Sequence, residues 1–141
     1  MPYCSITEIR KRCPELTLIQ LTDDNNSGQI NSDIITTAIL DADAIINSYI
    51  MDRYLTPLPQ TNDLILKIAV NLALYFIYSR RYDDTIPAEV KNQFEESVNM
   101  LRDISEGRLK LKNMPRNNSS DTLCSKDEYD TVFSENYLNN Y

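Results

Sequence analysis

The sequence lacks residue types on which many catalytic and nucleotide-binding sites depend. It contains no histidine, which removes the commonest general base and the usual nitrogen ligand of zinc. It has only two glycines, Gly28 and Gly107, which are too few for the glycine-rich loop that cradles a phosphate. Neither a histidine-based active site nor a nucleotide-binding loop is therefore expected.

Cysteine is also scarce. Cys4, Cys13 and Cys124 form no CxxC pair, and an odd number does not indicate a disulfide framework. We expect free thiols in a reducing compartment. An enzyme would have to use carboxylates alone or one of these thiols, and no base that could activate a thiol is predictable. The sequence therefore predicts a protein that is not an enzyme and has no cofactor.

The charge balance is acidic. Fourteen Lys and Arg residues stand against twenty-one Asp and Glu residues, for a net charge of −7 in 141 residues. A nucleic-acid-binding domain normally carries a basic stripe, and none is visible; an acidic surface suits DNA that passes without being held. The N-terminus has no apolar signal-peptide core, and no apolar run reaches the roughly 18 residues of a membrane span. We expect no membrane association.

Apolar residues recur at helical spacing in three long segments, over 33–54, 63–82 and 87–106. Two short helices over 6–12 and 15–21 precede them, and Ser5 with Glu8 forms a capping-box pattern at the start of the first. Gly107 is suited to end the last helix in a left-handed turn. The predicted fold is all-α: a small bundle of three long helices plus two short N-terminal helices, with an extended C-terminal arm.

The segment over 63–82 is predicted to be the central helix. Between Leu64 and Tyr78 only Lys67 and Asn71 are strongly polar, and a helix that is apolar nearly all round lies in a core or an interface. We predict that Lys67 and Asn71 mark its least buried face. We also predict that its remaining apolar surface contacts other copies of the chain. The nearby carboxylates of Asp41 and Asp43 are expected on a solvated surface.

The loop after the second short helix allows two interpretations. Asp23, Asn25, Ser27 and the Gln29 carbonyl match the early positions of an EF-hand loop, with Gly28 at the sharp turn. The bidentate glutamate of such a loop is absent, however, because its position is occupied by Ile34. A helix–helix turn with Asx side chains bonded to the backbone explains the same residues. The turn is favoured, and a calcium-responsive module is the alternative.

The C-terminal fifth of the chain changes character. The sequence predicts a helical domain over 1–111, a polar linker over 112–126 and an aromatic segment over 127–141. That last segment has aromatic residues at a spacing of four, which gives one stripe on a helix. It either folds back on its own domain or docks on another subunit, and docking is favoured because a polar linker precedes it. The predicted docking residues are Tyr129, Val132, Phe133, Tyr137, Leu138 and Tyr141.

Short motifs follow one another along the first four-fifths of the chain. They are LIQLTD at 18–23, the loop at 23–31, AILDADA at 38–44, SY at 48–49, RY at 53–54, PL at 57–58, LALY at 72–75, YSRR at 78–81 and ISEGRL at 104–109. In this order they resemble the small neck proteins of Mu-like phages and prophages, a family of head–tail adaptor or head-completion proteins. Family members tend to show DxDGDGxID in the loop, whereas this chain has Asn25 and Ser27 in place of acidic residues.

The resemblance implies a structural protein of the virion neck, made in the cytoplasm of a bacterial host. It implies a homo-oligomeric ring, twelve-fold to match the portal, through which DNA passes without sequence-specific binding. Its expected neighbours are the portal protein on the head side and a neck or tail-terminator protein on the tail side. The residues beyond 111 lie outside the resemblance.

Overall fold

A computed structural model of the chain describes residues 2–60, 62–81 and 86–116. These residues form five α-helices and no strand: α1 (Ile6–Arg12), α2 (Glu15–Thr22), α3 (Ser32–Ile50), α4 (Asp63–Tyr78) and α5 (Ala88–Glu106). The all-α prediction of three long helices after two short ones is therefore confirmed. The predicted docking residues Tyr129, Val132, Phe133, Tyr137, Leu138 and Tyr141 lie outside the described residues, as do 117–126 of the linker.

Helix α4 is the centre of the bundle and contacts each of the other four helices. Most of its side chains are buried, and only Asp63 and Lys67 are exposed. On the α5 side, the Tyr75 ring stacks on Phe94 with 4.0 Å between ring centroids. A single subunit covers most of α4 with the other four helices, and Leu64, Leu66, Tyr75, Phe76 and Tyr78 are half-buried. That the remaining apolar surface contacts other copies stays a prediction.

The helix starts follow from local side-chain chemistry. The Asn31 side chain accepts hydrogen bonds from the backbone N–H groups of Asp33 and Ile34, and Asn62 accepts one from Ile65 at 2.8 Å. These two asparagines are N-caps, which satisfy donors that the first turn leaves unpaired. Ser5 differs from the capping-box prediction because its hydroxyl donates to the Glu8 carboxylate and makes no bond to the backbone.

Helix α3 ends four residues earlier than predicted. It stops at Ile50, and Tyr54 then turns inwards and is buried. Its hydroxyl accepts a hydrogen bond from the backbone N–H of Leu111 at 2.8 Å. Tyr54 thus joins the end of α3 to the segment that follows α5.

The segment after α5 packs on the domain up to Arg116, the last residue that the structure describes. Gly107 adopts φ of 85° and ends α5 as predicted. Met114 is buried, the Leu55 N–H donates to the Pro115 carbonyl at 3.0 Å, and Arg116 forms an isolated bridge with Tyr54. The first five residues of the predicted linker, 112–116, therefore belong to the packed structure.

Candidate interaction surfaces

The loop between α2 and α3 is held by the Asp23 carboxylate. One oxygen accepts hydrogen bonds from the Ser27 N–H at 2.8 Å and the Ser27 hydroxyl at 3.0 Å, and the other accepts from the Gly28 N–H at 2.7 Å. These bonds to the backbone hold the pKa of Asp23 below its ordinary value. Gly28 has φ of 77°, the left-handed conformation that glycine adopts without strain. This is the geometry of an Asx-type turn.

The same loop lacks part of the ligand set of a calcium site. A calcium ion requires six to eight oxygen ligands, and both oxygens of Asp23 already accept bonds from the loop itself. Asn25, Ser27 and Gln29 are exposed, and Ile34 supplies no oxygen. Among the residues described, no group of three or more His, Cys, Asp or Glu side chains could hold a metal. The turn interpretation accounts for the loop.

Two arginines after α4 tie this loop to the central helix. Arg80 donates one hydrogen bond to the Leu21 carbonyl at 2.6 Å and another to the Asp24 carboxylate at 2.5 Å. Arg81 donates to the other Asp24 oxygen at 2.9 Å. The two guanidinium groups hold the pKa of Asp24 below its ordinary value. The double arginine therefore fixes the α2–α3 turn against the end of α4.

Asn71 lies inside the bundle, which corrects the prediction that it marks an exposed face of α4. Its side chain is 3% exposed, whereas Lys67 one turn earlier is exposed. Arg12 of α1 donates to the Asn71 carbonyl at 2.6 Å, and the Asn71 amide donates to the buried hydroxyl of Ser97 of α5 at 3.0 Å. This polar bridge joins three helices. The sequence signal was the position of Asn71 in an apolar run, but its partners are 59 and 26 residues away.

Asp43 is also buried, so its prediction as a surface residue is wrong, while Asp41 is exposed. The Asp43 carboxylate accepts a hydrogen bond from the Tyr3 N–H at 3.1 Å. The Tyr3 hydroxyl donates to Asn47 at 2.5 Å and accepts from the Leu58 N–H at 3.0 Å. These contacts fix the N-terminal segment across α3. Asp43 lies in the buried stripe of α3 at helical spacing, a signal that could have revealed it.

The two cysteines in the described ranges are buried free thiols. Burial raises the pKa of Cys4 to about 12, with further repulsion from Asp43. Burial likewise raises the pKa of Cys13. Since the thiolate is the nucleophilic form, these two thiols are poor candidates for catalysis.

Several surface grooves combine charged and apolar side chains. The α3–α4 groove, of about 260 Å³, is lined by Asp33, Ile34, Thr37, Ala38, Asp41, Phe76 and Arg80. The α1–α4 groove, also of about 260 Å³, is lined by Glu8, Lys11, Arg12, Asp63, Leu66, Lys67 and Val70. The C-terminal groove, of about 470 Å³, lies between the start of α4 and residues 110–114 and is lined by Gln60, Asn62, Asp63, Leu64, Lys110, Leu111, Lys112, Asn113 and Met114. Such mixed linings suit contacts with other protein surfaces.

Of the helices described, none has the length and apolarity that a membrane crossing requires. No curated protein matches the chain. A model of the family described as Bacteriophage Mu, Gp36 matches residues 3–125. This match covers all five helices, the packed segment after α5 and most of the predicted linker. The chain therefore belongs to the Bacteriophage Mu, Gp36 family.

Proposed function

We propose that the protein is a structural component of the neck of a phage or phage-like particle, a head–tail connector without catalytic activity or cofactor. The observation that carries this proposal is the family match over residues 3–125, which makes the chain a phage protein. The tightly tied helical domain supports a structural role. Its buried polar groups bond to one another across helices, and its two described thiols are buried with raised pKa values.

The connector is a ring of twelve copies that matches the symmetry of the portal. A cyclic ring needs two different surfaces on each subunit that fit each other head to tail. Three cations and two carboxylates line the α1–α4 groove, whereas two carboxylates and one cation line the α3–α4 groove. Opposite charge on two separate grooves supports such an interface, because complementary potentials fix the register of association.

The ring binds the portal protein on the head side and a neck or tail-terminator protein on the tail side. DNA passes through its lumen without sequence-specific contacts, and the net charge of −7 supports passage rather than retention. The protein is made in the host cytoplasm and acts in the virion, with no membrane step. The aromatic segment over 127–141 docks on another subunit.

Disruption of the gene in the phage or prophage that encodes the chain tests this function. We expect DNA-filled heads and complete tails that fail to join, as seen by electron microscopy of the lysate. Complementation with the full chain should restore joined particles. Joined, infectious particles that lack the protein would contradict the proposal.

A chain that ends at Arg116 tests the role of the C-terminal arm in joining heads to tails. This end point keeps Met114, Pro115 and Arg116, which contact the domain. We expect the shortened chain to retain its helical circular-dichroism spectrum but not to complement the disrupted gene. Normal joining of heads to tails by this chain would remove the arm from the proposed function.

A further inference from the structure

We propose that residues 127–141 of one copy bind in the C-terminal groove of the neighbouring copy. This inference rests on the proposed ring, since the ring supplies the neighbour. It names the surface that receives the arm, which neither the family match nor the sequence assigns.

The groove is shaped before any partner arrives. Its floor contains Leu111 and Met114, which are buried, beside the half-buried Leu64. The Leu111 N–H donates to the Tyr54 hydroxyl at 2.8 Å, so this wall is fixed to the domain. A floor that is already held in place lowers the ordering cost of binding.

Two unpaired lysines border the groove. Residues 107–116 contain four basic residues and no acidic one. Arg108 is engaged by Asp103 and Glu106. Lys110 and Lys112 are exposed, and neither has an ion-pair partner among the residues that the structure describes. Asp63 is the single carboxylate in the lining, so the groove presents net positive charge to an occupant.

The arm has the opposite charge and a matching apolar stripe. Residues 127–141 contain four carboxylates and no basic residue: Asp127, Glu128, Asp130 and Glu135. Their four aromatic residues recur every fourth position, which places them on one face of a helix. An amphipathic helix binds by laying such a face in an apolar groove. Aromatic anchors would contact the floor while the carboxylates face Lys110 and Lys112.

The α1–α4 groove is a weaker candidate, although it also contains cations. Lys11 pairs with Glu8 at 3.3 Å. Arg12 donates to Asn71 at 2.6 Å and to Gln93 at 3.4 Å. These groups would have to give up existing partners to bind the arm, whereas Lys110 and Lys112 have no ion-pair partner within residues 2–60, 62–81 and 86–116.

The length of the connecting segment allows the arm to reach a neighbouring copy. Residues 117–126 span at most about 35 Å when extended, and a domain of this size has a radius of gyration of about 13 Å. Equivalent points on adjacent copies therefore lie roughly 30 Å apart. A return to the same groove, whose lining ends at Met114, would need only a turn of a few residues. Ten intervening residues reach the neighbouring copy when they are extended.

Photo-crosslinking of the full chain tests this proposal. A benzophenone amino acid replaces Phe133, and chains of light and heavy isotope composition are mixed before assembly. We expect cross-links from position 133 to residues 110–114 or 62–64 that join light to heavy chains, both in particles and in concentrated purified protein. Cross-links confined to one isotope, directed to another protein or to another surface, or absent from both preparations would overturn the proposal.

Charge reversal adds a matched control. The double variant Lys110→Glu/Lys112→Glu should lower the cross-link yield about tenfold. Each exposed ion pair alone changes affinity by less than tenfold, but the variant removes two attractions and replaces them with repulsion. The same change at Lys91→Glu/Arg102→Glu, exposed on α5, should leave it unchanged. Adding Asp127→Lys/Glu128→Lys/Asp130→Lys to the first variant should restore the yield. Equal losses in both double variants would contradict the specific groove.

The two proposals fail in different ways. Particles that join without the protein would contradict the neck function, yet the purified chain would still report whether position 133 reaches the groove of another copy. Conversely, the protein could be needed for joining while its arm cross-links only to the portal. That result would support the neck function and contradict binding of the arm in the C-terminal groove.

Discussion

Asn71 and Asp43 are polar side chains in an otherwise apolar interior, and each is bonded to a group far away in the sequence. A buried polar group costs free energy unless it has a hydrogen-bond partner. Asn71 has partners on α1 and α5, and Asp43 has the backbone of Tyr3. These contacts determine how the N-terminal segment and the last helix sit on α3 and α4.

Asn71→Ala should lower the free energy of unfolding by about 1–3 kcal/mol, because the buried Ser97 hydroxyl and the Arg12 guanidinium lose their partner. Urea unfolding followed by circular dichroism measures this change. Asn92→Ala is the matched control, since Asn92 is exposed on α5, and it should change stability by less than about 0.5 kcal/mol. Equal effects of the two substitutions would contradict the role of the bridge.

Asp43→Asn should become progressively more favourable relative to the wild type as pH rises above about 4, the ordinary pKa of an aspartate. Burial raises the pKa of Asp43 above its ordinary value. Between the ordinary and the raised pKa the folded state therefore binds more protons than the unfolded state, and its stability falls as pH rises. An asparagine has no such titration, and its oxygen can still accept the Tyr3 N–H.

Thermal unfolding across this pH range measures the effect, with the exposed Asp41→Asn as control. A difference between Asp43→Asn and the wild type that does not vary with pH would show that the carboxyl ionises as freely in the folded chain as in the unfolded one.

The sequence identifies these residues as unusual but not what they do. Asn71 stands out in an apolar run, and Asp43 lies at helical spacing with buried neighbours on α3. Their partners Arg12, Ser97 and Tyr3 are 26 to 59 residues away. Only the packing of whole helices brings these groups together, so no local pattern could predict the bonds.

At the scale of single elements, the two glycines show how a helix end and a turn differ. Both have positive φ, so alanine should cost about 1–2 kcal/mol of backbone strain at either site. A Cβ at Gly107 would also lie 2.9 Å from the Arg53 guanidinium carbon, while one at Gly28 meets no atom within 4 Å. Arg53 donates to the Ser105 carbonyl at 2.7 Å, a bond that this displacement would disturb.

Gly107→Ala should therefore destabilise the protein more than Gly28→Ala. Thermal unfolding of the two variants gives the comparison directly. A smaller loss at Gly107 than at Gly28 would mean that Arg53 moves aside at no cost and that its bond to Ser105 contributes little at the end of α5.

The α2–α3 loop should give no calcium-binding heat. Its one well-placed carboxylate, Asp23, is already bonded to Ser27 and Gly28, and the position of the bidentate glutamate is Ile34. Isothermal titration with calcium up to millimolar concentration measures this. Saturable heat that disappears in Asp23→Asn would contradict the turn interpretation and support a calcium-responsive module.

Helix types and starts were predictable, whereas helix ends were less so. Asparagine caps and Gly107 act locally, so the sequence places the starts of α3 and α4 and the end of α5 correctly, whereas α4, predicted over 63–82, ends at Tyr78. The segment after α3 contains Tyr54, whose hydroxyl accepts a hydrogen bond from the N–H of Leu111, 57 residues later in the sequence. The helical spacing of Tyr54 does not reveal that its side chain contacts the segment after α5.

For the whole molecule, the coverage of α4 changes the argument for a ring. One subunit buries most of the helix, so its apolar character largely reflects its central place in the domain. Support for assembly comes from elsewhere: the phage family match, the oppositely charged grooves and the acidic aromatic arm.

The domain should extend to Arg116 rather than end near Leu111. A chain that ends at Arg116 should match the full chain in urea unfolding, whereas one that ends at Leu111 should lose about 2–3 kcal/mol. The loss reflects burial of the Met114 side chain and the Leu55–Pro115 hydrogen bond. Equal stability of the two shortened chains would mean that residues 112–116 contribute nothing to folding.

Cryo-electron microscopy of the junction between head and tail tests the neck assignment most directly. In particles purified from the encoding phage or prophage, we predict a ring of twelve five-helix domains between the portal and the tail, around the DNA channel. Density for α1 to α5 should be recognisable in each subunit. A complete neck whose density is fully explained by other proteins, with this chain absent from the particle, would contradict the account.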